Sequence, residues 1–179
     1  GKKLLVTGNG RCNFSNRDQG LSYYRGGHPK LIKAVLDAFS MEDTVAFFEE
    51  LGIFVKDRNG YLYPGSGQAA SIADVLRLEV QRLSRQRRIK EAYNTEVLAV
   101  DRQDSIFRVR TEGWTYEGEA LILACGSKAA PKTGSTGDGY RFAKSLGHRV
   151  IPPLPALTGL YAHENDRGAL AGVRMDAKV

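Results

Sequence analysis

Cysteine is scarce in this sequence: Cys12 and Cys125 are its two cysteines in 179 residues. Two thiols cannot form a disulfide-stapled scaffold, and neither stands at metal-ligand spacing from His28, His148 or His163. Both read as free thiols, and no metal site is expected. No apolar run approaches the roughly 18 residues that a membrane span requires, and no basic-then-apolar leader is present. The expected setting is cytoplasmic, with no membrane partner. The sequence also lacks a Gly-x-Ser-x-Gly elbow, an internal repeat and an obvious carboxylate pair, so it names no catalytic acid or base. Its hydrophobic content of 42% and charged content of 26% exclude the low hydrophobicity of a disordered chain. The length suits one domain with a fragment of another.

Positive charge is in modest excess, with a net charge of +6 and a pI near 9.4. The densest basic run is Arg82, Arg85, Arg87, Arg88 and Lys90. It falls at the end of a predicted helix, where cations offset the helix dipole, and no nucleic-acid motif accompanies it. Nucleic acid is therefore not the expected partner.

The most informative stretch is residues 4–16, LLVTGNGRCNFSN. Gly8 and Gly10 can take positive φ and let backbone amides approach a ligand. Arg11 adds a fork of donors, while Thr7, Asn9 and Asn13 can bond phosphate, ribityl or amide groups. A turn closed by Asn and Gly chemistry is the plain alternative. A redox role for Cys12 beside Arg11 is a lesser one. The segment is not a dinucleotide fingerprint: Asn13 holds the place of the third glycine, and no helical period follows.

Further along, Pro29 opens a predicted helix, and Ser40 with Asp43 resembles the capping box of another that Gly52 ends. Asn59-Gly60 between strand-like runs signals a hairpin. A helix is expected from Ser71, with Ile72, Leu76, Val80 and Leu83 on its buried stripe and a sheet beneath it. Residues 90–100, 106–111 and 114–117 read as an antiparallel meander. Residues 120–124, ALILA, are apolar on both faces, as in a parallel strand covered by helices. Ligands sit beyond the carboxyl ends of such strands, which makes Ala124, Cys125 and Gly126 cofactor candidates. A second glycine-rich loop follows, with Gly134, Ser135, Thr136, Gly137, Asp138 and Gly139, and it feeds a helix from Tyr140 to Leu146. Asp138 disfavours a bare phosphate beside it; an Asp N-cap is the alternative.

Four segments together resemble the aminoacetone-oxidase-like flavoproteins, the BaiN/YhiN-like FAD-dependent oxidoreductases. They are GKKLLVTGNGRCNFSN, GYLYPGSGQAASI, LILACGS, and PKTGSTGDGYRFAKSLGH followed by PALTGL. They occur in the family's order and span most of the chain. Cys125, where such strands usually carry Thr, and GYLYP, where an Arg and a Phe are usual, depart from the pattern.

The resemblance implies an α/β protein: a partial FAD-binding, Rossmann-like domain of the glutathione-reductase type, over residues 1–157. A helical and hairpin insert is expected at 28–60 and the meander at 90–119, with a second, truncated domain starting at 158. It further implies that residues 7–13 lie along the flavin and ribityl side, that residues 124–127 line the cofactor's path, and that residues 134–139 help close the site. A small-molecule substrate is implied, with NAD(P)H or oxygen as the other redox partner. The family's first strand and glycine fingerprint should precede Gly1, so the chain reads as an internal fragment. Each charge-assisted bond missing from the pyrophosphate cradle is worth about 1.5 to 3 kcal/mol. The isolated chain is accordingly expected to bind FAD weakly or not at all and to be inactive. A non-catalytic nucleotide- or anion-binding module, or a basic interaction module, is the alternative to an oxidoreductase.

Overall fold

The computed structural model describes residues 1–25 and 27–154. The expected domain boundary at 157, the second domain from 158, PALTGL and His163 lie outside the described residues.

The chain opens with a short helix, α1 (Lys2–Val6), which runs into a tight turn over Thr7–Gly10. The apolar LLV run, strand-like in sequence, is thus helical. Its amides close back on the chain, as in Leu5 N to Gly1 O at 3.2 Å, instead of entering a ladder. A two-residue strand, β1 (Ser15–Asn16), follows.

Helices α2 (Pro29–Ala38) and α3 (Met41–Glu50) come next. Proline stands at the start of α2, where its missing amide costs nothing. Ser40 caps α3 in a reciprocal box: its hydroxyl accepts from Asp43 N, and the Asp43 carboxylate accepts from Ser40 N at 2.8 Å. Gly52, at φ 86°, closes α3. Phe48 of α3 packs on Phe14, with ring centroids 5.0 Å apart. Leu31, Val35 and Phe39, one stripe of α2 and its end, remain exposed.

Strands β2 (Val55–Arg58) and β3 (Tyr61–Pro64) form the expected hairpin. Asn59 and Gly60 both take positive φ, 54° and 86°, which gives the turn the twist of its flanking strands. With β1 they make a sheet in the order β1-β3-β2, and Leu62 at its centre is 0% exposed.

Helix α4 (Ala69–Arg85) then packs across α1, the Thr7–Gly10 turn and β3. Ile72 is fully buried on it, while Leu76, Val80 and Leu83 are half-buried. The core gathers Cys12, Ile53, Ala69 and Ile72, with Leu4, Phe14, Phe48, Val75 and Leu76 around them. Arg82 of the basic run spends its guanidinium on Glu79, at 2.6 and 2.7 Å.

A second sheet holds β4 (Val97–Gln103), β5 (Ile106–Thr111) and β6 (Thr115–Gly118), the expected antiparallel meander. Its first strand begins at Val97, later than the pattern suggests. Helix α5 (Asp138–Ser145) lies along β4, an edge strand. Arg141 donates to Leu98 O at 2.7 Å and Ser145 to Val100 O at 2.9 Å. Residues four apart on a helix and two apart on a strand are each about 6 to 7 Å apart, so the two spacings match.

The parallel strand expected at 120–124 is not formed: these residues enter no ladder, and Ile122 is 88% exposed. A strand apolar on both faces needs a neighbour on each edge and cover on each face, and none of the described strands lies beside it. Both described sheets are antiparallel.

Four carboxylates, three exposed and Glu79 half-buried, sit below their ordinary pKa values. Asp57 is held down by the Arg17 guanidinium and then by Gly60 N. Asp43 is held down by Ser40, Glu79 by Arg82, and Asp138 by the Thr136 hydroxyl and then Arg141. A folded-state pKa below the unfolded one stabilises the fold fully above the unfolded value. That contribution is lost as pH falls through the ordinary carboxylate range, below about pH 4, toward the folded values. The melting temperature is expected to be level near neutrality and to drop on acidification, less steeply at high salt because these groups face water. Thermal melts across that range check it; a melting temperature that rises with acid contradicts it.

Candidate functional site

The two glycine-rich loops share a cleft of about 610 Å³. From the first loop Thr7, Cys12 and Asn13 line it; from the second, Gly134 and Ser135; and between them Ala124, Cys125 and Gly126. Half of the sixteen sequence candidates therefore meet in one place. Gly8, Asn9, Gly10 and Arg11 are exposed beside it and do not line it, and neither do Thr136, Gly137, Asp138 and Gly139.

Local geometry explains this division. Gly8, Asn9 and Gly10 run consecutively at positive φ, 54°, 58° and 78°, with Cys12 at 57°. The turn folds back on itself through Cys12 N to Thr7 O at 3.1 Å and Arg11 N to Gly8 O at 3.2 Å. That brings Cys12 inward, 5% exposed in the apolar core, so its thiol is a packing group at the floor of the cleft. Asn13 is also structurally engaged: its Nδ2 donates to Ser15 O at 2.9 Å and Leu62 O at 3.0 Å, which pins the loop to β3. The Thr7 hydroxyl donates to Leu4 O at 2.7 Å. Among the described residues, the Oδ1 of Asn13 has no such bond.

The second loop is tied to the 125–127 segment. Ser135 Oγ donates to Cys125 O at 2.6 Å, and a Cβ on Gly126, at φ 74°, would stand 2.8 Å from that Oγ. Gly139 lets α5 approach closely, since a Cβ there would lie 3.3 Å from Cys125 Cβ. Asp138 is the first residue of α5, and the Thr136 hydroxyl and Arg141 meet its charge. The helix-cap alternative for Asp138 is not realised: Gly137 occupies the capping position.

Sequence reasoning missed Lys2, Lys3, Leu4 and Thr133, which also line the cleft. Lys3 Nζ donates to Ser127 O at 3.1 Å and joins walls 124 residues apart in the chain. The available signal was two lysines directly before the apolar run that opens the first loop. Among the described residues, no aspartate or glutamate lines the cleft. As described, it is polar and positively charged at one end and apolar at Leu4 and Ala124. At Gly134, φ 103°, a Cβ would meet no atom within 4 Å, so the backbone there is open to an incoming group. These features fit a phosphate-bearing ligand with a flat apolar part. Among the described residues, no group of three or more His, Cys, Asp or Glu side chains could hold a metal ion.

The family model described as "HI0933-like protein Rossmann domain" matches residues 1–177. The 3-dehydro-bile acid delta(4,6)-reductase of Clostridium scindens is 41% identical over 179 residues, covering 100% of this chain and 43% of that protein. The ribosomal RNA dihydrouridine synthase of Haemophilus influenzae is 28% identical over 186 residues, covering 100% of this chain and 45% of its own length. The protein of the same name in Escherichia coli is 28% identical over 183 residues, with 44% of it covered. The chain spans less than half the length of these curated relatives.

Proposed function

The chain belongs to the HI0933-like Rossmann domain family, a flavoprotein family, and from that premise we propose that it supplies part of the FAD site of an oxidoreductase. The observation that carries this reading is the cleft itself: two distant glycine-rich loops converge on a lysine-bearing pocket that, among the described residues, no carboxylate lines. When bound there, FAD supplies hydride transfer. The protein's part is to hold and orient the cofactor. Lys3 offers a donor and Asn13 Oδ1 an acceptor to its polar groups, and Gly134 leaves room beside them. Leu4 and Ala124 offer apolar surface, and the bond from Ser135 to Cys125 O fixes the spacing of the walls.

The activities for which the relatives are named narrow the substrate class. A delta(4,6)-reductase and a dihydrouridine synthase both add hydrogen across a carbon–carbon double bond in a ring. The proposed substrate is a small molecule with such an activated ring double bond, and NAD(P)H or oxygen is the other redox partner. The proposed setting is cytoplasmic; no helix of the described residues is long and apolar enough to cross a membrane. The division into an insert at 28–60 and a meander at 90–119 belongs to the same proposal.

The same cleft suits a non-catalytic nucleotide-binding module, and one experiment separates the two. The protein at its natural full length is titrated with FAD and then mixed anaerobically with NAD(P)H. Bound flavin that is bleached and then reoxidised by a cyclic enone or by oxygen is the expected result. Flavin that binds but exchanges no electrons supports the binding module, and no flavin binding at all refutes the flavoprotein reading.

A further inference from the structure

We propose that Lys3 is the residue through which the cleft reads the phosphate charge of its ligand, an inference that rests on the flavin reading above. Several other cations of the fold meet a carboxylate. Lys33 pairs with Asp37, Arg17 with Asp57, Arg82 with Glu79 and Arg141 with Asp138. Lys3 differs. It is half-buried, and among the described residues its ammonium meets the neutral carbonyl of Ser127, at 3.1 Å, and no carboxylate lines the cleft.

An ammonium has three donors, and this carbonyl uses one. Partial burial without a counter-ion is unfavourable until an anion arrives, so the site is poised for one. Phosphate suits a compact ammonium, which binds it as a point charge. Lys2 also lines the cleft but is exposed, where water and salt weaken its pull. The bond to Ser127 holds the Lys3 ammonium between the two walls, at the place where a phosphoryl oxygen can replace the carbonyl or share the ammonium with it.

That phosphoryl group belongs either to the flavin nucleotide or to a nicotinamide nucleotide, and the test distinguishes them. In the full-length protein, Lys3→Gln is compared with Lys3→Arg and with Lys56→Gln, a control on β2 outside the cleft. Dissociation constants are measured for FAD, riboflavin and NADPH, with the far-UV circular dichroism spectrum and melting temperature monitoring the fold. Loss of a charge-assisted bond predicts about tenfold weaker FAD binding in Lys3→Gln, with less than about a twofold change for riboflavin, which has no phosphate. Lys3→Arg should restore most of the affinity, and Lys56→Gln should change nothing. A tenfold loss confined to NADPH keeps Lys3 as the charge reader and moves the phosphate to the nicotinamide nucleotide. Equal losses for FAD and riboflavin, or no loss for any ligand, overturn the proposal. Should the wild-type protein bind no flavin yet bind inorganic pyrophosphate through Lys3, the flavin reading falls and the charge reading stands. If it binds neither, both fall.

Discussion

Replacing Gly8 with alanine is expected to destabilise the protein by about 2 to 4 kcal/mol and to misplace the first loop of the cleft. Two costs combine. Gly8 sits at φ 54°, in the left-handed region that an L-residue occupies at a penalty of about 1 to 2 kcal/mol. Its added Cβ would also stand 2.5 Å from Asn13 N, a backbone atom that no rotamer change can move. Asn13 is held on its other side by its bonds to Ser15 O and Leu62 O, so the strain passes into the loop. Gly10→Ala is the control. Its φ is 78°, but the nearest atom to a Cβ there is Leu5 O at 3.9 Å, so it should cost only the backbone penalty. Urea melts give the stabilities, and FAD titration of the full-length protein reads the loop. Gly8→Ala should lose more than about tenfold in affinity, the equivalent of one charge-assisted bond. Equal effects of the two substitutions would show that the contact with Asn13 does not govern the loop.

The second large effect is expected from Ile72→Ala. Ile72 is 1% exposed on α4 and lies in the core that contains Cys12 and Ile53. Truncating a buried isoleucine to alanine typically costs about 2 to 5 kcal/mol, through lost transfer energy and an unfilled cavity. Against a total stability of about 5 to 15 kcal/mol, that is a large share. The cavity would open directly beneath Cys12, at the floor of the cleft, so stability and ligand affinity should fall together. Leu78→Ala, on the same helix but 55% exposed, should cost far less. A similar midpoint for the two variants in urea would contradict this account of the core.

What the sequence revealed depended on how local each signal was. The capping box at Ser40 and Asp43, the Asn59-Gly60 turn and the meander over β4, β5 and β6 are set by residues a few positions apart, and each is found in the fold. The helical form of Lys2–Val6 was not legible, because five residues are too few to show a period and Leu4-Leu5-Val6 alternates with nothing. Residues 120–124 carry the composition of a parallel strand, yet composition supplies no neighbour for a strand to pair with. In the cleft, glycines and small polar residues marked the two loops correctly as places of unusual backbone. They did not show which residues face inward. The turn folds back so that Cys12 and Asn13 line the cleft while Gly8, Asn9 and Gly10 do not, and that is a property of dihedral angles no residue list contains. Lys3 was overlooked because its significance comes from Ser127, far away along the chain.

The seat of α5 on β4 reaches beyond the cleft. An uncovered strand rim offers free carbonyls and amides to any passing chain, and proteins usually hide such rims. Here Arg141 and Ser145 occupy the Leu98 and Val100 carbonyls, and the helix that carries them begins where the second glycine-rich loop ends. A change that loosens this loop therefore also unseals the meander. Loss of cofactor and loss of colloidal stability should arrive together in this protein, even though the two surfaces share no residue.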